Sequence, residues 1–84
     1  SAYIEGNDNL RLDRKGIYIL KGTEEISDKV VFTINDTTLA RIIKTTNNSC
    51  EIQAYSKNKL GKVVLSATYQ DVVYTKEISI IPLW

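Results

Sequence analysis

"GKVVLSATY", residues 61–69, is the stretch on which the fold turns. Val63, Leu65, Ala67 and Tyr69 fall on one side of an extended chain, and Val64, Ser66 and Thr68 fall on the other, because successive strand side chains point to opposite faces. A helix would scatter the two sets around its axis. A strand sorts them into an inner and an outer side, as in a sheet with one face on a core and one toward water. The same alternation recurs along the chain. Cys50, Ile52 and Ala54 face inward with Glu51 and Gln53 outward; Val30, Phe32 and Ile34 face inward with Lys29, Thr33 and Asn35 outward; Ile78 and Ile80 face inward with Thr75, Glu77 and Ser79 outward.

Three shorter segments read as strands too: "LRLD" at 10–13, "IYIL" at 17–20 with both faces apolar, and "ARII" at 40–43 with Ala40 and Ile42 inward. Between the segments lie "EGNDN", "RKG", "KGTEEISD", "NDTT", "TTNNS", "SKNKLG" and "QD". These are rich in residues that accept left-handed backbone or bond their own main chain, so they are turns. "GTEEISDK" is the only helical candidate and is too short for more than one turn. Seven short strands spaced about ten residues apart predict an all-β fold, an antiparallel sandwich or barrel, with 1–84 as one domain.

Composition narrows the function classes. A chain of 84 residues buries only about 60–65% of the surface it exposes when unfolded, so most apolar side chains serve the core. Eleven Lys and Arg against ten Asp and Glu give a net charge of +1, without a run of like charges. Duplex nucleic acid and anionic membrane both require a concentrated positive face, so neither is an expected partner. The longest apolar run is the five residues Ile80–Trp84, too short to insert in a membrane. Ser1 and Ala2 lead directly into strand-like sequence, as in a piece excised from a longer protein.

Without histidine, neither a Ser-His-Asp nor a Cys-His arrangement can be assembled. Cys50 is the single cysteine, at an inward strand position with no neighbouring base, where a thiol acts as a small hydrophobe. Two acidic groups, Asp8 with Asn7, Asn9 and Asp13, and Glu24 and Glu25 with Asp28, lack the spacing of a calcium loop and read as solvated turns. No metal, cofactor or catalytic residue is expected. Lys57, Lys59 and Lys62 surround Leu60-Gly61, with Tyr55 just before them, a combination of cations and an aromatic plane suited to a contact surface. "NDT" at 35–37 and "NNS" at 47–49 match the glycosylation pattern and place those loops at the surface.

The succession Val30-Val31-Phe32, Leu39-Ala40-Arg41-Ile42, Ile52-Gln53-Ala54, Leu60 to Ala67 and Ile78-Ser79-Ile80 resembles the bacterial immunoglobulin-like domains of the second group over residues 30–81. Phe32 stands where that family usually carries tryptophan, and residues 1–29 fit its first strands loosely. The ending "YTKEISIIPLW" resembles the C-terminal immunoglobulin-like modules of phage and prophage tail or minor structural proteins. The resemblance implies a seven-stranded antiparallel immunoglobulin-like sandwich taken from the C-terminus of a larger protein, with Trp84 as its natural end. It also implies a non-enzymatic spacer or decoration in a virion tail or at a bacterial surface, contacting neighbouring domains and, weakly, a cell-surface polysaccharide or protein.

The alternative is a dedicated carbohydrate- or protein-binding domain with its site in the loops "NDTT", "TTNNS" and "SKNKLG". Its candidate residues are Tyr55, Lys57, Lys59, Asn47, Asn48 and Tyr74, which supply aromatic planes beside amides and ammonium groups. A small barrel that binds single-stranded nucleic acid is a third reading, disfavoured by the near-neutral charge.

Overall fold

The structure, a computed structural model, describes residues 1–55 and 59–84. It is an all-β sandwich of two four-stranded sheets. The strands are β1 (Tyr3–Glu5), β2 (Asn9–Arg11), β3 (Lys15–Lys21), β4 (Val31–Ile34), β5 (Ala40–Thr45), β6 (Ser49–Ala54), β7 (Gly61–Tyr69) and β8 (Val72–Ile81). One sheet has the order β1-β3-β6-β5 and the other β2-β8-β7-β4.

The β7–β8 hairpin anchors the second sheet. Tyr69 pairs with Val72 across a loop of two residues, Gln70 and Asp71, whose φ angles are 50° and 64°. Two successive left-handed residues make the turn whose twist matches that of the strands it joins. The inward residues of β7 and of the neighbouring strands then meet. Val63, Leu65 and Ala67 of one sheet and Tyr18, Ile52 and Ala54 of the other are buried, and among the described residues the core contains no polar or charged residue other than tyrosine hydroxyls and the Cys50 thiol.

The architecture is the one alternation predicts, with three differences in detail. There are eight strands rather than seven, because Tyr3–Glu5 forms a short strand against β3, and β8 starts at Val72 rather than Thr75. One pairing is parallel: β2 lies beside the end of β8, with Asn9 opposite Ser79 and Arg11 opposite Ile81. The extra strand and the parallel pairing follow from the chain changing sheets at Gly6–Asp8, between β1 in one sheet and β2 in the other.

That crossover sits on Tyr18. Its ring is fully buried, its hydroxyl donates to the Asn7 carbonyl at 2.8 Å, and its face lies so close to Gly6 that a Cβ there would collide with the ring. Glycine at position 6 is therefore a packing requirement.

Candidate functional site

Loops leave a sandwich from its two ends, and each end is a separate surface. At the first end the 46–48 turn is locked by Thr46, whose backbone N–H donates to the Ser49 carbonyl at 2.9 Å, while the two hydroxyls lie 2.6 Å apart. Asn48 and Asn47 then accept, through their backbone carbonyls, from the N–H groups of Leu20 (2.8 Å) and Val30 (2.9 Å). The 46–48 turn is thereby tied to the long 22–30 loop. Between them is an open cleft of about 520 Å³, with Thr23, Glu24, Glu25, Asn47 and Asn48 in its wall. The Thr23 hydroxyl is buried there without a partner, and neither asparagine carboxamide makes a hydrogen bond within the described residues. Tyr69 closes the base of the loop: its hydroxyl accepts from the Ser27 N–H at 3.0 Å, and the hydrogen bonds from Ser27 hold its pKa below the usual phenol value.

The opposite end carries Tyr55 and Lys59. Tyr55 follows β6 and donates its N–H to the Leu39 carbonyl, and the Arg41 guanidinium lies over its ring at 5.4 Å, within the range of a cation–π contact. Lys59 donates to the Thr38 hydroxyl at 2.6 Å, and Thr38 donates in turn to the Asp36 carboxylate at 2.5 Å. The hydrogen bonds from Thr38 depress the Asp36 pKa, and the Lys59 ammonium adds to the effect. Lys57 lies outside the described residues. Beside this polar cluster, Leu12, Leu60, Pro82 and Trp84 line an apolar recess, and Trp84 is 89% exposed.

Of the described residues singled out from sequence, Tyr55 and Lys59 share one end and Asn47 and Asn48 the other. The six residues of β6 separate Asn47 and Asn48 from Tyr55 by roughly 20 Å at the rise of an extended chain. Tyr74 belongs to neither end. It stands on β8 opposite Ala67, half-buried and packed on the core.

Sequence reading did not anticipate Arg41 as the partner of Tyr55, nor Lys76, which reaches Asp8 at 2.6 Å. The Lys76 ammonium lowers the pKa of the Asp8 carboxyl, first through their hydrogen bond. Asn7 closes a turn by accepting from the Asn9 N–H at 3.2 Å. No group of three or more metal-ligating side chains is gathered among the described residues. Burial pushes the Cys50 thiol up to about 12, so it is protonated at neutral pH and is a poor nucleophile. Compared with known proteins, the chain matches no family model, no curated protein and no solved structure.

Proposed function

We propose that the protein is an immunoglobulin-like module that acts as a load-bearing spacer or decoration in a phage-tail or bacterial surface assembly, without catalysis of its own. The strand order supports the fold-level part of this reading. With the first strand divided between the sheets, β1-β3-β6-β5 against β2-β8-β7-β4 corresponds to the A-B-E-D and G-F-C order of immunoglobulin sandwiches.

The observation that carries the mechanical part is where the chain ends lie. Ser1 lies against Gly22 at the end that holds Asn47 and Asn48, and Trp84 lies by Leu12 and Leu60 at the other, in a body of 38 × 18 × 16 Å. Tension applied through the two ends runs along the long axis. Because β2 and β8 are parallel, it pulls one strand from its start and the other from its finish, so their ladder is sheared rather than peeled. The bonds from Asp8–Ser79 (2.8 Å) to Leu12–Ile81 (2.9 Å) then share the load. Single-molecule pulling on tandem copies tests this reading, with discrete, high-force unfolding events expected for each copy. Opening at low force without discrete events would refute it.

A second reading, a carbohydrate-binding domain, draws on the 520 Å³ cleft. Free carboxamides, carboxylates and an unpartnered hydroxyl are the groups that bond vicinal sugar hydroxyls. Retention on a glycan array that is lost in Asn48→Ala but kept in Tyr55→Ala would favour this reading and assign it to that end of the sandwich.

A further inference from the structure

The second sheet has one long edge without a hydrogen-bonded neighbour among the described residues, with β1 of the other sheet packed near it, and its hydrogen-bonding phase is readable. On β7, the Val64 N–H and C=O both turn toward Asn35, beyond β4. Backbone groups alternate along an antiparallel strand, so Val63, Leu65, Ala67 and Tyr69 turn theirs toward β8. Their partners Ile78, Lys76, Tyr74 and Val72 complete that ladder. Val73, Thr75 and Glu77 therefore direct their N–H and C=O groups away from β7. Ser79 and Ile81 confirm the phase, because the Ser79 N–H donates to Asp8 and the Ile81 carbonyl accepts from Leu12 on that same side.

Only Ser79–Ile81 are covered by β2, and Val73, Thr75 and Glu77 have no backbone partner on this side among the described residues. All three are exposed, Val73 by 58%. The other edges are shorter or interrupted: β1 has three residues, β4 has four, and β5 carries charges and a bulge between Ile42 and Lys44.

We propose that the Val73–Glu77 edge of β8 is a strand-pairing surface for a second copy of this chain, antiparallel about a two-fold axis through Thr75. The free groups sit at 73, 75 and 77, symmetric about 75, so this register satisfies all of them. Thr75 exchanges bonds with its own copy, Val73 with Glu77 of the second copy, and Glu77 with Val73 of the second copy. On the inner face, Tyr74 stands opposite Lys76 of the second copy and Val72 opposite Ile78 of the second copy. None of these pairs sets like charges together. A two-fold axis through Val73 or Glu77 leaves edge groups unpaired or runs into β2. An inward lysine commonly guards such an edge. Here the Lys76 ammonium is drawn aside to Asp8, where β2 begins, and Val73–Thr75 stays uncharged.

Sedimentation equilibrium of the intact chain from micromolar to millimolar concentration tests the proposal. The mass is expected to rise reversibly from 9.5 kDa toward twice that value, with amide protection at Val73, Thr75 and Glu77 rising in step. Thr75→Pro removes an N–H that points away from β7, so it spares the internal ladder and is expected to hold the mass at the monomer value with an unchanged circular dichroism spectrum. Thr75→Lys sets like charges across the axis and is expected to do the same. A monomer at every concentration, a dimer that survives in both variants, or protection gained elsewhere would each overturn it.

Discussion

Gly6→Ala adds one methyl group to an 84-residue chain, and the consequence is set by Tyr18. The new Cβ would fall inside the van der Waals envelope of the Tyr18 ring. The ring has nowhere to go, because it is 0% exposed and its hydroxyl is fixed on the Asn7 carbonyl at 2.8 Å. Forcing a methyl into a packed site costs about 1–3 kcal/mol. Loss of glycine freedom in the unfolded chain offsets about 0.4–1 kcal/mol of that. A net loss of roughly 1–2 kcal/mol is expected, a large share of a stability of about 4–13 kcal/mol for a domain of this length. Urea denaturation at neutral pH measures it, and a double-mutant cycle identifies its origin. In a Tyr18→Leu background, which removes the ring, Gly6→Ala should lose most of its cost or become stabilising. An equal cost in both backgrounds would show that the ring does not constrain position 6 and would refute the packing argument.

Three further outcomes follow from the same structure. Cys50 and Tyr18 are both pushed up to about 12 by burial. The unfolded chain releases these protons from about pH 9 and pH 10 while the folded one keeps them, so the stability they contribute is complete below pH 9 and is lost as pH rises toward 12. Cys50→Ala should cost about 1 kcal/mol at neutral pH and abolish the part of the loss that starts near pH 9; urea midpoints that decline in parallel for both proteins would contradict this. Gly22 has φ +91°, so Gly22→Ala should cost about 1–2 kcal/mol, read from the thermal midpoint, and a neutral result would exclude backbone strain there. Leu65 is fully buried at the centre of β7, and Leu65→Ala should cost about 2–5 kcal/mol by leaving a cavity, with a cost below 1 kcal/mol placing it outside the core.

The elements that alternation exposes are those in which one parity is apolar over several residues. In β7 the residues 63, 65, 67 and 69 are all buried, and in β6 so are 50, 52 and 54. β1 escaped notice because it offers a single inward residue, Ile4, which is no pattern at all. The parallel β2–β8 pair was not legible either, since periodicity tells which face a residue occupies but not which strand lies beside it. Lys76 lies in the inward phase of β8, opposite Leu65, and only the structure shows that Asp8 is near enough to draw its charge to the rim. The described candidate residues are divided between the two ends for a topological reason. Successive loops of a sandwich alternate between its ends, so Lys59, before β7, meets Thr38, after β4, while the 46–48 turn faces the 22–30 loop at the other end. Loop composition carries no signal of this.

The crossover at Gly6–Asp8 also connects the stability of the fold with its open edge. A first strand that stayed in one sheet would run beside β3 and leave all of β8 uncovered; one that changed sheets immediately would cover β8 along most of its length. Tyr18 fixes the intermediate case by gripping the chain at Gly6 and Asn7, so pairing with β8 begins only at Ser79. The three residues of β2 close the end of β8 beside the chain terminus, where tension would enter, and Val73–Glu77 remain open. On the readings proposed above, one buried ring would set both how much of β8 bears shear and how much is left to pair. Tyr18→Phe, which keeps the ring and removes the hydroxyl, separates these roles. It should cost about 0.5–1.5 kcal/mol for the lost hydrogen bond and loosen Asn7 and Asp8, so that the Ser79 amide exchanges with solvent faster while the even-numbered amides of β8, held by β7, do not. Unchanged exchange at Ser79 would mean that the β2–β8 ladder, and not Tyr18, holds the crossover in place.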